Sequence, residues 1–191
     1  SELEPIRVRH PDDPDGFQPY SREADTLARP WVIPGTPGME HRLGGLEKHP
    51  GTGAVSYAPE DHAAMCALRR DKVACVAGFI PELEVTGPAE GSLLVLSWGG
   101  TRGAAITAVE RLQRQGHAVA HAQLRYLNPF PRNLGEVLRR YRTIMIPELN
   151  HGQLAMLIRA HFLVDVMSHA RVQGRPFTVD EIETRAGELL A

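Results

Sequence analysis

A chain of 191 residues is long enough for one ordinary domain plus an appendage, and it needs no disulfide staples to bury a core. With 21 Lys and Arg against 23 Asp and Glu, the net charge of -2 implies neither a nucleic-acid surface nor an acidic tail. No apolar run approaches the roughly 20 residues of a membrane helix and no signal peptide is recognisable, so a cytoplasmic protein without membrane or nucleic-acid partners is expected.

The opening segment is polar and rich in proline, and it begins at Ser1 rather than Met. That start predicts a piece cut from something longer. From Ser1 to about Pro59 the density of prolines, from Pro5 and Pro11 to Pro50 and Pro59, rules out regular core strands and helices. Trp31, Val32, Ile33, Met39, Leu43, Leu46 and Tyr57 supply apolar anchors, so an irregular arm laid over another surface is expected. A helix is predicted from Glu60 to about Ala77, with acids first and bases later, as the helix dipole favours. Cys66 and Cys75 fall on it nine residues apart. That is a rise of about 13 Å, too far for a disulfide, and two thiols are too few for an iron–sulfur cluster. Leu83–Val85 is a candidate edge strand, and Gly87-Pro88 turns the chain into the next one.

Ser92–Ser97 is an apolar run flanked by Gly91 and Gly99. It has the length of a strand buried on both faces, which points to a parallel sheet covered by helices. Ala105, Ile106, Val109 and Leu112 recur at helical spacing, and Gly116 is placed to end that helix. A second strand is predicted over Ala118–Leu124, then a helix on Leu134, Val137, Leu138 and Tyr141, a third strand over Thr143–Ile146, a helix from near Gly152, and a fourth strand over Phe162–Val166. Thr178 with Glu181 three residues on is a capping-box pattern that opens a final helix. Alternating strands and helices predict an α/β fold: a three-layer, mostly parallel sheet.

The turn after the first long strand is the natural place for a ligand. Gly99, Gly100, Thr101, Arg102 and Gly103 sit at the carboxyl edge of a strand and at the start of a helix, where backbone amides and the helix dipole favour an anion. Arg125 and Arg132, in the loop after the adjacent strand, are placed to close the other side. Tight packing of the turn explains the same glycines. The stricter motifs are absent. Trp98 stands where a dinucleotide fingerprint needs glycine, and Val95 stands where a nucleophile elbow on Ser97 needs one. If His117 and His121 share a strand they lie about 13 Å apart, too far for one zinc ion, so no metal site is expected. Glu148, Asn150 and His151 end the third strand and fit either a functional cluster or a cap on the next helix. Arg139, Arg140 and Arg142 read as a solvated helix end.

Several blocks in order carry a resemblance: Arg29-Pro-Trp-Val-Ile-Pro-Gly-Thr-Pro-Gly-Met-Glu-His-Arg-Leu-Gly-Gly-Leu-Glu-Lys48, Leu94–Gly99, Arg125–Pro131, Asn133–Arg139, and Pro147-Glu148 followed by Gly152–Leu154. Together they resemble the alpha subunit of 2-oxoglutarate:ferredoxin oxidoreductases, in its C-terminal portion. The resemblance implies that residues 89–191 are a transketolase C-terminal-like α/β domain. Residues 1–88 would then be the arm, connector and helix that end a pyrimidine-type thiamine-enzyme domain. It implies a parent complex that converts 2-oxoglutarate to succinyl-CoA using thiamine diphosphate, magnesium, an iron–sulfur cluster and coenzyme A. A beta subunit and ferredoxin are the implied partners, in an oligomer. For this portion it implies no catalytic residue and no cofactor of its own, but an assembly role with coenzyme A as a candidate contact. His41 and Arg42, in the Thr36–Glu47 block, are the residues it would bring near the active site of the whole enzyme. A free-standing flavodoxin-like domain binding a small phosphate-bearing ligand is the alternative, which the long proline arm disfavours.

Overall fold

The computed structural model describes residues 10–191; the first nine residues of the arm, with Pro5, lie outside the described residues. The chain divides into two compact units, Ser1–Phe79 and Ile80–Ala191.

The first unit is built from turns up to its helix. Glycines with positive φ recur at Gly35, Gly38, Gly44, Gly45 and Gly53. Among its described residues the single isolated bridge is Lys48 against Val55. Tyr20 and Met39 are buried, whereas Trp31, Ile33, Leu43, Leu46 and Tyr57 are more than half exposed. Helix α1 (Pro59–Cys75) starts with Pro59 at its first position and Glu60 and Asp61 in its first turn, and buries only Met65. It carries both cysteines, which are free.

The second unit is the sheet. In chain order it runs β1 (Val85–Thr86), β2 (Gly91–Trp98), α2 (Arg102–Arg114), β3 (Val119–Leu124), α3 (Leu134–Arg139), β4 (Tyr141–Glu148), α4 (Gln153–Phe162), β5 (Met167–Ala170) and α5 (Val179–Leu190). The spatial order is β1-β3-β2-β4-β5. Only β1 is antiparallel to its neighbour. β2 lies at the centre, and Leu93, Leu94, Val95 and Leu96 have no exposed surface. Leu94 and Leu96 pack with Leu134, Leu138, Leu154 and Ile158 of α3 and α4. Leu93 and Val95 pack with Val109, Leu112 and Ile182 of α2 and α5. Helices therefore cover both faces, and each buried aliphatic side chain contributes on the order of 1.5–3 kcal/mol. No described helix is long and apolar enough to cross a membrane.

The capping box at Thr178 forms as expected: its hydroxyl accepts the Glu181 amide at 3.3 Å, and Glu181 accepts the Thr178 amide at 2.9 Å. Two elements differ from the sequence pattern. Tyr141 continues the helical spacing of α3 but opens β4, because pairing of Tyr141 with Gly91 begins the β2–β4 ladder. Its hydroxyl donates to the Pro88 carbonyl at 2.5 Å. The last strand is not Phe162–Val166. Phe162 ends α4, Leu163 turns the chain with φ 54°, and the strand forms at Met167–Ala170, where the returning chain reaches β4. An edge strand needs little apolar sequence, so Ser168 and His169 are tolerated there.

Candidate functional site

At the carboxyl end of β2 the chain makes one 3-10 turn, Gly99–Thr101, and runs directly into α2. Thr101 holds the turn: its hydroxyl accepts the Trp98 amide at 3.3 Å and donates to the Trp98 carbonyl at 2.8 Å. No side chain caps α2. Gly99 needs its φ of 55°, but a Cβ on Gly99, Gly100 or Gly103 would meet nothing within 4 Å. Tight packing is therefore not what these three glycines serve, and the space over the turn is open.

Beside this turn lies a cleft of about 380 Å³. Arg102 and Ile106 of α2 form one wall, the end of β3 with His121, Gln123 and Arg125 forms another, and Glu82 and Glu84, just before β1, contribute to the lining. The structure thus brings Arg102 and Arg125 to one cleft. Arg132 is exposed and does not line it, although its neighbour Pro131 does. Among the described residues neither Arg102 nor Arg125 makes a hydrogen bond or ion pair.

Under the cleft sits a buried polar group that the sequence did not reveal. Parallel register sets Ser97 beside Gln123 and Val95 beside His121, so all three polar side chains share a face. The Gln123 amide nitrogen donates to the Leu124 carbonyl at 3.4 Å, which turns its oxygen toward the Ser97 hydroxyl, 2.5 Å away. Ser97 spends its proton on that oxygen, so the 2.7 Å contact with His121 is donated by the imidazole Nε2–H. His121 Nδ1 is then the acceptor on the cleft side, without a partner among the described residues. Burial, and secondarily the Arg102 charge, pushes the His121 pKa down to about 4, so the ring is neutral near pH 7. His117 is not on β3 and is exposed. The two histidines do not pair, and no described cluster of three or more His, Cys, Asp or Glu side chains could hold a metal ion.

The end of β4 is closed by its own side chains. The Glu148 carboxylate is fully buried and accepts the amides of Leu154 at 2.7 Å and Ala155 at 3.0 Å. Asn150 Oδ1 accepts the amides of Gly152 and Gln153 at 2.8 and 2.9 Å. Glu148 and Asn150 are thus caps of α4, while His151 is exposed. Arg139 donates to the carbonyls of Gly135 and Phe162, and Arg140 pairs with Glu136. In the first unit His41 bonds the Met39 carbonyl through Nδ1 at 2.9 Å and meets the Phe17 ring edge-on, while Arg42 is exposed. Those contacts orient the loop.

Residues 91–182 match the pyruvate:ferredoxin oxidoreductase core domain II family. Over 181 residues the chain is 50% identical to 2-oxoglutarate oxidoreductase subunit KorA of Mycobacterium tuberculosis, covering 94% of this chain and 27% of that one. The chain is a homologue of 2-oxoacid:ferredoxin oxidoreductase alpha subunits. It is also 33% identical over 135 residues to the alpha subunit of 2-oxoacid:ferredoxin oxidoreductase 2 of Aeropyrum pernix, covering 66% of this chain and 21% of that one. The solved 2-oxoglutarate:ferredoxin oxidoreductase of Magnetococcus marinus, with 2-oxoglutarate, coenzyme A and succinyl-CoA bound, superposes with a TM-score of 0.89 at 30% identity. That match covers 97% of this chain and 33% of the solved one. The chain therefore spans about a quarter of the length of the curated relatives it matches.

Proposed function

We propose that this chain is a portion of the alpha subunit of a 2-oxoglutarate:ferredoxin oxidoreductase, and that its work there is assembly. The observation that carries the reading is the match to the Magnetococcus marinus enzyme over 97% of this chain, arm included. A free-standing phosphate-binding domain gives no reason for the arm to match. In the whole complex, 2-oxoglutarate is decarboxylated on thiamine diphosphate with magnesium, electrons leave through an iron–sulfur cluster to ferredoxin, and coenzyme A receives the succinyl group. The beta subunit is the partner in that oligomer. The residues here do not fit the first two groups. There is no G-D-G motif, the described residues hold no metal-ligating cluster, and both thiols lie on one helix. No chemical step is therefore assigned to this portion.

The exposed Trp31, Ile33, Leu43 and Leu46 of the first unit support an interface role, because large apolar side chains left more than half exposed are unfavourable in water. The test is co-purification. A tagged full-length alpha subunit is expected to retain its beta subunit through size-exclusion chromatography, and the Trp31→Asp/Ile33→Asp variant is expected to lose it or to change its oligomeric state. Unchanged assembly in that variant would refute the interface role of the arm.

A further inference from the structure

We infer that the cleft bounded by Arg102, Arg125 and His121 binds a phosphorylated ribose, the phosphate between the two guanidiniums and the hydroxyls on His121 and Glu84. Four observations converge on it. Arg102 opens a 13-residue helix that no side chain caps, and both arginines lack any partner among the described residues. The contrast is α4, where Glu148 and Asn150 take up the first amides and leave nothing for a ligand. His121 is 97% buried by its 3% exposure, yet its Nδ1 on the cleft side has no partner. That nitrogen is not among the buried polar atoms left without a partner, so water in the cleft reaches it, and a ligand hydroxyl can take the place of that water as its donor.

The remaining lining narrows the class. Glu82 and Glu84 also lack partners among the described residues. A bare inorganic anion would gain from two arginines and lose against two carboxylates. A ligand that carries hydroxyl donors beside its phosphate satisfies both sets, and a sugar phosphate is the compact form of that chemistry. The phosphate is held by the two guanidinium side chains that line the cleft, whose volume of about 380 Å³ falls in the range of small-ligand sites. Coenzyme A and free nucleotides both carry this group.

The inference rests on the cleft alone, so its failure leaves the subunit reading standing, and that reading fails separately in the co-purification test. The experiment is titration of the full-length protein with ribose 5-phosphate, inorganic phosphate and adenosine 3′,5′-bisphosphate. Affinity is read by calorimetry, and location by hydrogen-exchange protection of peptides spanning residues 99–106 and 121–126. Ribose 5-phosphate is expected to protect both peptides and to bind about tenfold or more tightly than inorganic phosphate. Arg102→Ala is expected to weaken it by about tenfold or more, since a charge-assisted bond is lost. Glu84→Gln should weaken ribose 5-phosphate several-fold and leave inorganic phosphate unchanged or tighter. Tighter binding of adenosine 3′,5′-bisphosphate would name coenzyme A as the source of the group, and weaker binding a free nucleotide. No protection at millimolar ligand, equal affinity for inorganic phosphate, or an unaffected Arg102→Ala variant would each overturn the proposal. Arg102 and Arg125 are exposed, so their loss leaves the fold intact.

Discussion

Glu148→Gln isolates the cap on α4. In the native chain the two carboxylate oxygens each accept one buried amide, from Leu154 at 2.7 Å and from Ala155 at 3.0 Å. Glutamine keeps the shape but only one acceptor, and turns an NH2 group toward the second amide. That amide loses its partner in a site with no exposed surface, which costs about 1–3 kcal/mol. Removing a negative charge from a helix N-terminus adds roughly 1 kcal/mol. The sum is roughly 2–4 kcal/mol, which for a unit of this size lowers Tm by on the order of 10 °C. Thermal unfolding by calorimetry and guanidinium unfolding by circular dichroism both read it. Asn150→Ala, which frees only partly exposed amides, should cost about 1 kcal/mol in the same assays. A Glu148→Gln variant within about 0.5 kcal/mol of the native chain would show that α4 does not depend on this carboxylate, and the cap reasoning would be wrong.

The other predictions concern single contacts. His121 titrates near 4 in the fold against about 6.5 unfolded, so the native state holds fewer protons between those values. Stability should be complete above about pH 6.5 and fall by about 3 kcal/mol as pH drops toward 4; denaturant midpoints across that window measure it, and His121→Gln should flatten the dependence. Thr178→Ala removes the cap of α5 and should cost about 1 kcal/mol in chemical unfolding. Gly87 has φ 106°, and a Cβ there would lie 2.4 Å from Gln113 Nε2 and 3.0 Å from the Val119 carbonyl, so Gly87→Ala should cost roughly 1–3 kcal/mol by the same measurement.

The sheet was readable because its strongest signals are local. β2 announces itself by an apolar run between Gly91 and Gly99, and α5 by Thr178 and Glu181. The errors fall where tertiary pairing overrides local pattern. Tyr141 fits the helical period yet pairs with Gly91, and β5 is a polar edge strand whose only instruction is the neighbouring β4. The two arginines of the cleft were visible as residues flanking a strand–turn–helix. Its buried floor was not, because Ser97 meets His121 and Gln123 only through the β2–β3 register, at sequence separations of 24 and 26. Alternation would have put Ser97 on the face of Leu93 and Val95, and that was the one available clue.

The most direct test of the assignment is reconstitution of the full-length alpha subunit with its beta subunit and anaerobic measurement of ferredoxin reduction. Reduction should require 2-oxoglutarate and coenzyme A together, release succinyl-CoA, and be unaffected by Thr178→Ala at temperatures where that variant is folded. Reduction that proceeds without coenzyme A, or no reduction with any 2-oxoacid by a complex that assembles and carries its cofactors, would contradict the account.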